Sequence, residues 1–123
     1  MQLKPLVGWF SFLEARGFGE PVFMYEEKER HPYAVWPGGG REVRVSFREK
    51  WPTVLLVEGE SVTEIEPDFS DLPALSQARG LERRLFRVPL MFRREEVDRE
   101  WEQATKQLAE RLEQEHEDFV PAP

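Results

Sequence analysis

The sequence contains no cysteine and no asparagine, and only two of its 123 residues are histidine. The absence of cysteine excludes disulfides, thiolate metal sites and cysteine nucleophiles, and because it fits a reducing compartment we predict a cytoplasmic protein. No apolar run approaches the roughly 18 residues that a membrane-spanning helix needs, so no membrane partner is predicted. The scarcity of thermolabile residues, with arginine in large excess over lysine, is typical of a thermophile.

The familiar catalytic and phosphate-binding motifs are also missing. The three glycines at residues 38–40 join two predicted strands, whereas a phosphate-binding glycine loop leads from a strand into a helix. We therefore predict that they form a turn, because glycine tolerates the positive φ that tight hairpins require. None of the five serines lies in a G-x-S-x-G motif, and we predict no catalytic residue.

Neither histidine predicts a metal or cofactor site. His116 forms a Glu-x-x-His pair with Glu113, but di-iron bundles need two such pairs and two further glutamates on four helices. His31 lies in the charged stretch EKERHP, which predicts a turn residue. The acidic tract of residues 58–71 lacks the pattern of a calcium-binding loop. We therefore predict no metal and no cofactor.

The order of elements predicts one α+β domain that spans residues 1–123. An N-terminal helix is expected over residues 4–16, because apolar residues recur there at helical spacing. Strands are predicted at residues 21–26, 33–36, 42–48 and 53–58. Their short connections indicate a four-stranded antiparallel meander. Residues 62–65 offer one further brief edge strand.

The C-terminal half predicts two helices that pack on one face of this sheet. A short helix is expected to begin at an N-cap, Ser70 or Asp71, and to end at Gly80. A long helix is predicted over residues 94–119, where apolar residues again follow helical spacing. Between the two helices, residues 81–92 contain a proline, which indicates an edge strand or a docked arm.

An apolar surplus and adjacent blocks of opposite charge indicate a protein-binding surface. Residues 51–78 carry a net charge of −6, whereas residues 79–94 carry +5 and mix arginine with apolar side chains, as interface hot spots do. The N-terminal helix also has an unusually wide apolar face. The residues predicted to bind a protein are Arg83, Arg84, Phe86, Arg87, Met91, Phe92, Trp9 and Phe12. Alternatively, Phe86 and Leu90 fill the domain's own core and the arginines pair with the preceding acidic tract.

Two stretches of sequence carry a resemblance in layout. FLEARGFGEPVF precedes the short strands, and FSDLPALSQARGLERRLF precedes the long charged helix. This layout resembles that of small uncharacterised bacterial single-domain proteins, some of which are regarded as immunity-like partners of toxins. The resemblance implies a protein-binding role, and it transfers no functional residue because it includes no catalytic motif.

Three functions are consistent with these patterns, and the first is preferred. We predict a non-catalytic interaction module that forms a homodimer about a two-fold axis or binds another protein. The alternative is a small-ligand-binding protein or weak enzyme with a pocket on the sheet, lined by Tyr25, His31, Tyr33 and Trp36. The third function, nucleic-acid binding through residues 79–94, is disfavoured by the acidic segments on both sides.

Overall fold

The fold is one β-sheet with a layer of helices on one of its faces. A computed structural model describes residues 6–28, 31–47, 51–82 and 93–121 of the chain. The strands are β1 (Val22–Glu26), β2 (His31–Pro37), β3 (Arg41–Phe47), β4 (Pro52–Glu58) and β5 (Ser61–Ile65). All neighbours pair antiparallel and the strands lie in chain order, which confirms the predicted α+β meander.

The predicted strand count is corrected from four to five. β5 is a full member of the sheet, although the sequence suggested only a brief edge strand over residues 62–65. Gly59, with φ of +59°, turns the chain after β4. β5 then pairs with β4 and brings Ile65 opposite Val54. Ile65 is the one buried residue of β5. The strand is otherwise mostly polar, so it lacks the alternation of apolar and polar residues that predicts a strand.

The N-terminal helix predicted over residues 4–16 is interrupted in its described part. It consists of an α-helical start at residues 6–7, a 3-10 turn at Gly8–Phe10 and the helix α1 at Phe12–Ala15. Gly8 explains the interruption, because glycine is unfavourable inside an α-helix. Gly17, with φ of +96°, ends the helix as predicted. Across it the N–H of Phe18 donates to the carbonyl of Leu13 at 3.1 Å, as in a Schellman cap.

The helices α2 (Pro73–Glu82) and α3 (Arg94–Glu115) complete the helical layer. α2 begins later than the predicted N-cap at Ser70 or Asp71, because Phe69–Asp71 forms a separate 3-10 turn, and it continues past Gly80. α3 ends before residue 119, where the chain turns so that Val120 enters the core. Within the described residues, no helix has the length and apolar character needed to cross a membrane.

The core lies between the helical layer and one face of the sheet. Alternate residues of the strands point towards the helices. The fully buried side chains include Trp36, Val43, Val45, Val54, Phe10, Leu13, Leu75, Leu108 and Leu112. The described core residues of the sheet come from β2 to β5, so the helical layer leaves β1 uncovered.

Two arginines fasten the C-terminal segment to the body of the protein. Arg41 donates to the carbonyls of Asp118 and Phe119 at 3.2 and 3.3 Å. Arg16 donates to the carbonyl of Pro121 at 3.4 Å and forms a 2.7 Å ion pair with the carboxylate of Glu113. These contacts hold the segment after α3 against the N-terminal helix and the start of β3.

Candidate functional site

The sheet face opposite the helices carries a small polar pocket. Its volume is about 210 Å³. The described residues that line it are Glu26, His31, Tyr33, Arg44, Ser46, Thr53, Leu55 and Glu64. These residues belong to all five strands, so the sheet must curl and its open face is concave. The volume exceeds that of a cavity that holds benzene, about 150 Å³, but is below the usual range of ligand sites, which begins near 300 Å³.

A row of hydroxyl groups forms the floor of this pocket. The register places Tyr33 opposite Ser46, and Ser46 opposite Thr53, across β2, β3 and β4. Ser46 is 4% exposed and Thr53 is 1% exposed. Both residues line the pocket. A hydroxyl group can donate and accept hydrogen bonds, so this row is suited to a polar ligand.

Charged side chains surround the hydroxyl row. The guanidinium of Arg44 forms an ion pair with the carboxylate of Glu42 at 2.8 Å. Glu26 and His31 lie opposite each other on β1 and β2, and Glu64 lines the pocket from β5. The pocket therefore offers both a cation and carboxylates to a ligand. In the described ranges, no group of three or more His, Asp or Glu residues could hold a metal ion.

The structure brings together two of the four residues predicted to line a sheet pocket. His31 and Tyr33 line the pocket, and His31 belongs to β2 instead of the predicted turn. Trp36 lies an odd number of positions from both, so strand alternation places it on the helix-facing side, where it is fully buried. The register places Tyr25 opposite Pro32, which is also on the helix-facing side. Trp36 and Tyr25 are therefore not part of this pocket.

The edge strand β1 presents a run of exposed apolar side chains. Val22, Phe23, Met24 and Tyr25 are each 48 to 58% exposed. Consecutive strand residues point to opposite faces, so both faces of β1 are apolar and accessible. The sequence contained the signal, since four successive large apolar residues cannot all lie on the buried face of one strand. The strand predicted at residues 21–26 is confirmed, but its exposed faces were not among the predicted binding surfaces.

The other edge of the sheet has a different character. On β5, Val62 is an exposed apolar side chain, and its neighbour Glu64 is exposed and charged. The acidic residues Glu60 and Glu66 flank the strand. Charged side chains at an edge discourage pairing with further strands. The sheet therefore has one edge protected by charge, at β5, and one apolar edge, at β1.

Trp9 and Phe12, predicted to bind a protein, contact the domain itself. Trp9 is 39% exposed, and the ammonium of Lys106 lies 5.4 Å from its ring centroid. Phe12 packs against the core, with the guanidinium of Arg16 at 5.8 Å from its ring centroid. Much of the wide apolar face is therefore used internally. The other predicted binding residues lie outside the described part of the chain, namely Arg83, Arg84, Phe86, Arg87, Met91 and Phe92.

One arginine of the basic segment can be placed. Arg79 forms an ion pair with the acidic-tract residue Glu66 at 2.9 Å, and its guanidinium lies 4.6 Å from the ring centroid of Phe69. For this arginine, pairing with the preceding acidic tract is therefore what the structure shows. Glu113 of the Glu-x-x-His pair is bound to an arginine, and His116 lies just beyond the end of α3.

Comparison with known proteins gives no relative. No protein family, curated protein or solved structure matches the chain. The resemblance to immunity-like partner proteins therefore stays a prediction. The pocket and the β1 edge are the two features of the described residues on which a function can be based.

Proposed function

We propose that this protein is a non-catalytic interaction module that self-associates through the outer edge of β1. The observation that carries the proposal is the run from Val22 to Tyr25, four apolar side chains about half exposed on both faces of an edge strand. An edge strand also offers unpaired N–H and C=O groups to a further strand. The homodimer expected from the sequence is retained, but the surface proposed for it is β1.

Burial of apolar side chains and new backbone hydrogen bonds would both favour such pairing. Covering a half-exposed large apolar side chain contributes roughly 1 kcal/mol, so eight such side chains in a pair contribute about 8 kcal/mol. This is of the same size as the entropy cost of association, which lies at about 4–15 kcal/mol. New backbone hydrogen bonds between the paired strands add a net contribution of about 1 kcal/mol each. A dissociation constant of about 10 µM would correspond to a net gain of about 7 kcal/mol.

Sedimentation velocity of three proteins tests this proposal. The wild-type chain should change from monomer to dimer between about 1 and 100 µM. Met24→Lys should remain monomeric over this range, because it places a charge in the middle of the apolar edge that pairing would cover. Val62→Lys is the matched control, since it places the same charge on the opposite edge, and it should dimerise as wild type does. A wild-type monomer at about 100 µM, in low and high salt, would refute self-association.

The cellular setting is part of the same proposal. We place the module in the cytoplasm because a chain without cysteine needs no oxidising compartment in which to form disulfides. Its low content of thermolabile residues supports an origin in a thermophile. A role as an immunity-like partner would be compatible with an interaction module, and binding to another protein would then compete with dimerisation at β1.

A second candidate function is binding of a small polar ligand in the open-face pocket. The observation that favours it is that the nearly buried residues Ser46 and Thr53 line the pocket together with charged side chains. Groups of this kind supply orientation and specificity in ligand sites. The neighbouring Arg44 and Glu26 would bind charged or polar groups of the ligand.

Native mass spectrometry of gently purified, untagged protein tests the second candidate. If the pocket is a ligand site, a small extra mass should accompany each chain. Thr53→Val, which removes the hydroxyl but keeps the shape, should lose this mass. Val62→Thr, a change of similar size away from the pocket, should retain it. Wild-type chains without any extra mass, after purification from the native host, would count against this function.

A further inference from the structure

We infer that two copies of the chain pair β1 with β1 antiparallel, with Met24 on the two-fold axis, and form one continuous ten-stranded sheet. This inference rests on the proposed self-association and specifies its geometry. Such a contact is isologous, because each copy uses the same strand. The pairing covers the apolar β1 edge of each copy, and the two edges that remain free are the charged β5 strands. The assembly is therefore closed at two copies.

The side chains of β1 select this register. In a continuous sheet the two faces are preserved, so a residue must lie opposite one of the same face, and shifts occur in steps of two. With Met24 at the centre, Phe23 lies opposite Tyr25 of the second copy, and this aromatic pair occurs twice. Val22 then lies opposite Glu26 of the second copy, where it can pack against the methylene groups of that side chain.

Charges at the ends of β1 favour the same register. With Met24 at the centre, Glu20, two residues before β1, comes near Lys28 of the second copy, two residues after β1, and both residues are exposed. A shift of one step would place Glu20 opposite Glu26, which is a repulsive pair. A shift in the other direction would place Phe23 opposite Glu27. Of these registers, the one centred on Met24 is the one that brings opposite charges together at the ends of β1 and pairs Phe23 with Tyr25.

The pairing also changes the open-face pocket. Glu26 lines that pocket at its β1 side, and the second copy places its Val22 directly beside Glu26 on the same sheet face. Each pocket would therefore gain part of its rim from the other copy. A ligand in the pocket would then stabilise the dimer, and the dimer would stabilise ligand binding, since the linkage is reciprocal.

Single cysteines test the register, because the natural chain has none. In Met24→Cys the two new cysteines would face each other with Cα atoms about 5 Å apart, within the range of a disulfide. Mild oxidation or a short bifunctional thiol reagent should therefore link two chains. In Val22→Cys the two cysteines would be about 14 Å apart, so this variant should not be linked. A mixture of Val22→Cys and Glu26→Cys chains should be linked.

Charge reversal provides an independent test of the same register. Glu20→Lys alone, or Lys28→Glu alone, converts two attractive pairs into repulsive ones and should weaken dimerisation about tenfold at low salt. The double variant should restore it. If wild type dimerises but Met24→Cys is not linked and the double variant gives no rescue, the register is wrong and self-association stands. If wild type is monomeric at about 100 µM, the proposed function fails as well.

Discussion

The buried carboxylate of Glu100 is predicted to be a major source of stability, because it caps a helix other than its own. Glu100 lies on α3 and is 5% exposed. Its two oxygens accept hydrogen bonds from the backbone N–H groups of Ala74 and Leu75, at 3.1 and 3.0 Å. These N–H groups are in the first turn of α2, where no carbonyl of the helix can reach them. The positive end of the helix dipole also favours a carboxylate there.

The magnitude follows from the two hydrogen bonds. A hydrogen bond to a charged group contributes about 1.5–3 kcal/mol, so loss of both in Glu100→Ala should cost about 3–6 kcal/mol. Glu100→Gln keeps the size of the side chain and one accepting oxygen, but it directs an amide N–H at a backbone N–H. We expect it to cost about 2 kcal/mol. With a urea dependence of about 2 kcal/mol per molar, the unfolding midpoint should fall by about 1 M.

Urea denaturation followed by circular dichroism measures this effect. Glu102→Gln is the matched control, since Glu102 is exposed on the same helix, and its free energy of unfolding should stay within about 0.5 kcal/mol of wild type. An unchanged midpoint for Glu100→Gln would show that the two hydrogen bonds add nothing to stability. An equal loss in both variants would assign the effect to the net charge of the protein and not to the cap.

Two further predictions concern a carboxylate and a glycine. Hydrogen bonds from the backbone N–H and the hydroxyl of Ser70, helped by the charge of Arg111, lower the pKa of Asp68 below its ordinary value. The resulting stability is present above about pH 4 and is lost as pH falls through the lowered pKa. The urea midpoints of wild type and Asp68→Asn should therefore converge in acid. A difference between the two midpoints that stays constant with pH would contradict this. Gly38→Ala should cost about 1–3 kcal/mol in thermal or urea unfolding, because its Cβ would lie 2.5 Å from the Phe18 ring. Gly8→Ala, with nothing within 4 Å, should be neutral or stabilising, and equal losses in both would refute the steric explanation.

The central strands and the order of the elements could be predicted from the sequence. In β3, strict alternation of apolar and polar residues reflects one buried and one open face, and the structure buries Val43 and Val45 as expected. β5 was underestimated because it is an edge strand with a single buried residue, and such strands leave little apolar pattern. The predicted start of α2 was wrong because its first N–H groups are capped by Glu100, which lies 25 or 26 residues further along the chain than the residues it caps. Local capping rules cannot identify such a partner.

The candidate sites, too, could be predicted from the sequence only in part. Strand alternation alone could have separated Trp36 from Tyr33, because an odd spacing places two residues of one strand on opposite faces. The position of Tyr25 depended on the register of the β1–β2 hairpin, which the sequence of that connection did not specify. The exposure of β1 depended on where the helices end, and this is a property of the whole packed domain.

The contact between Arg16 and the C-terminal segment has a consequence for synthesis of the protein. The guanidinium of Arg16 and the carbonyl of Pro121 are 105 positions apart in sequence, and the ring of Phe18 stacks on that of Phe119. The hairpins of the meander involve neighbouring segments and can form as soon as they leave the ribosome. The N-terminal helix, however, cannot form its contacts with Phe119 and Pro121 until translation has passed residue 121. During that interval its apolar side chains are available to chaperones and to other nascent chains.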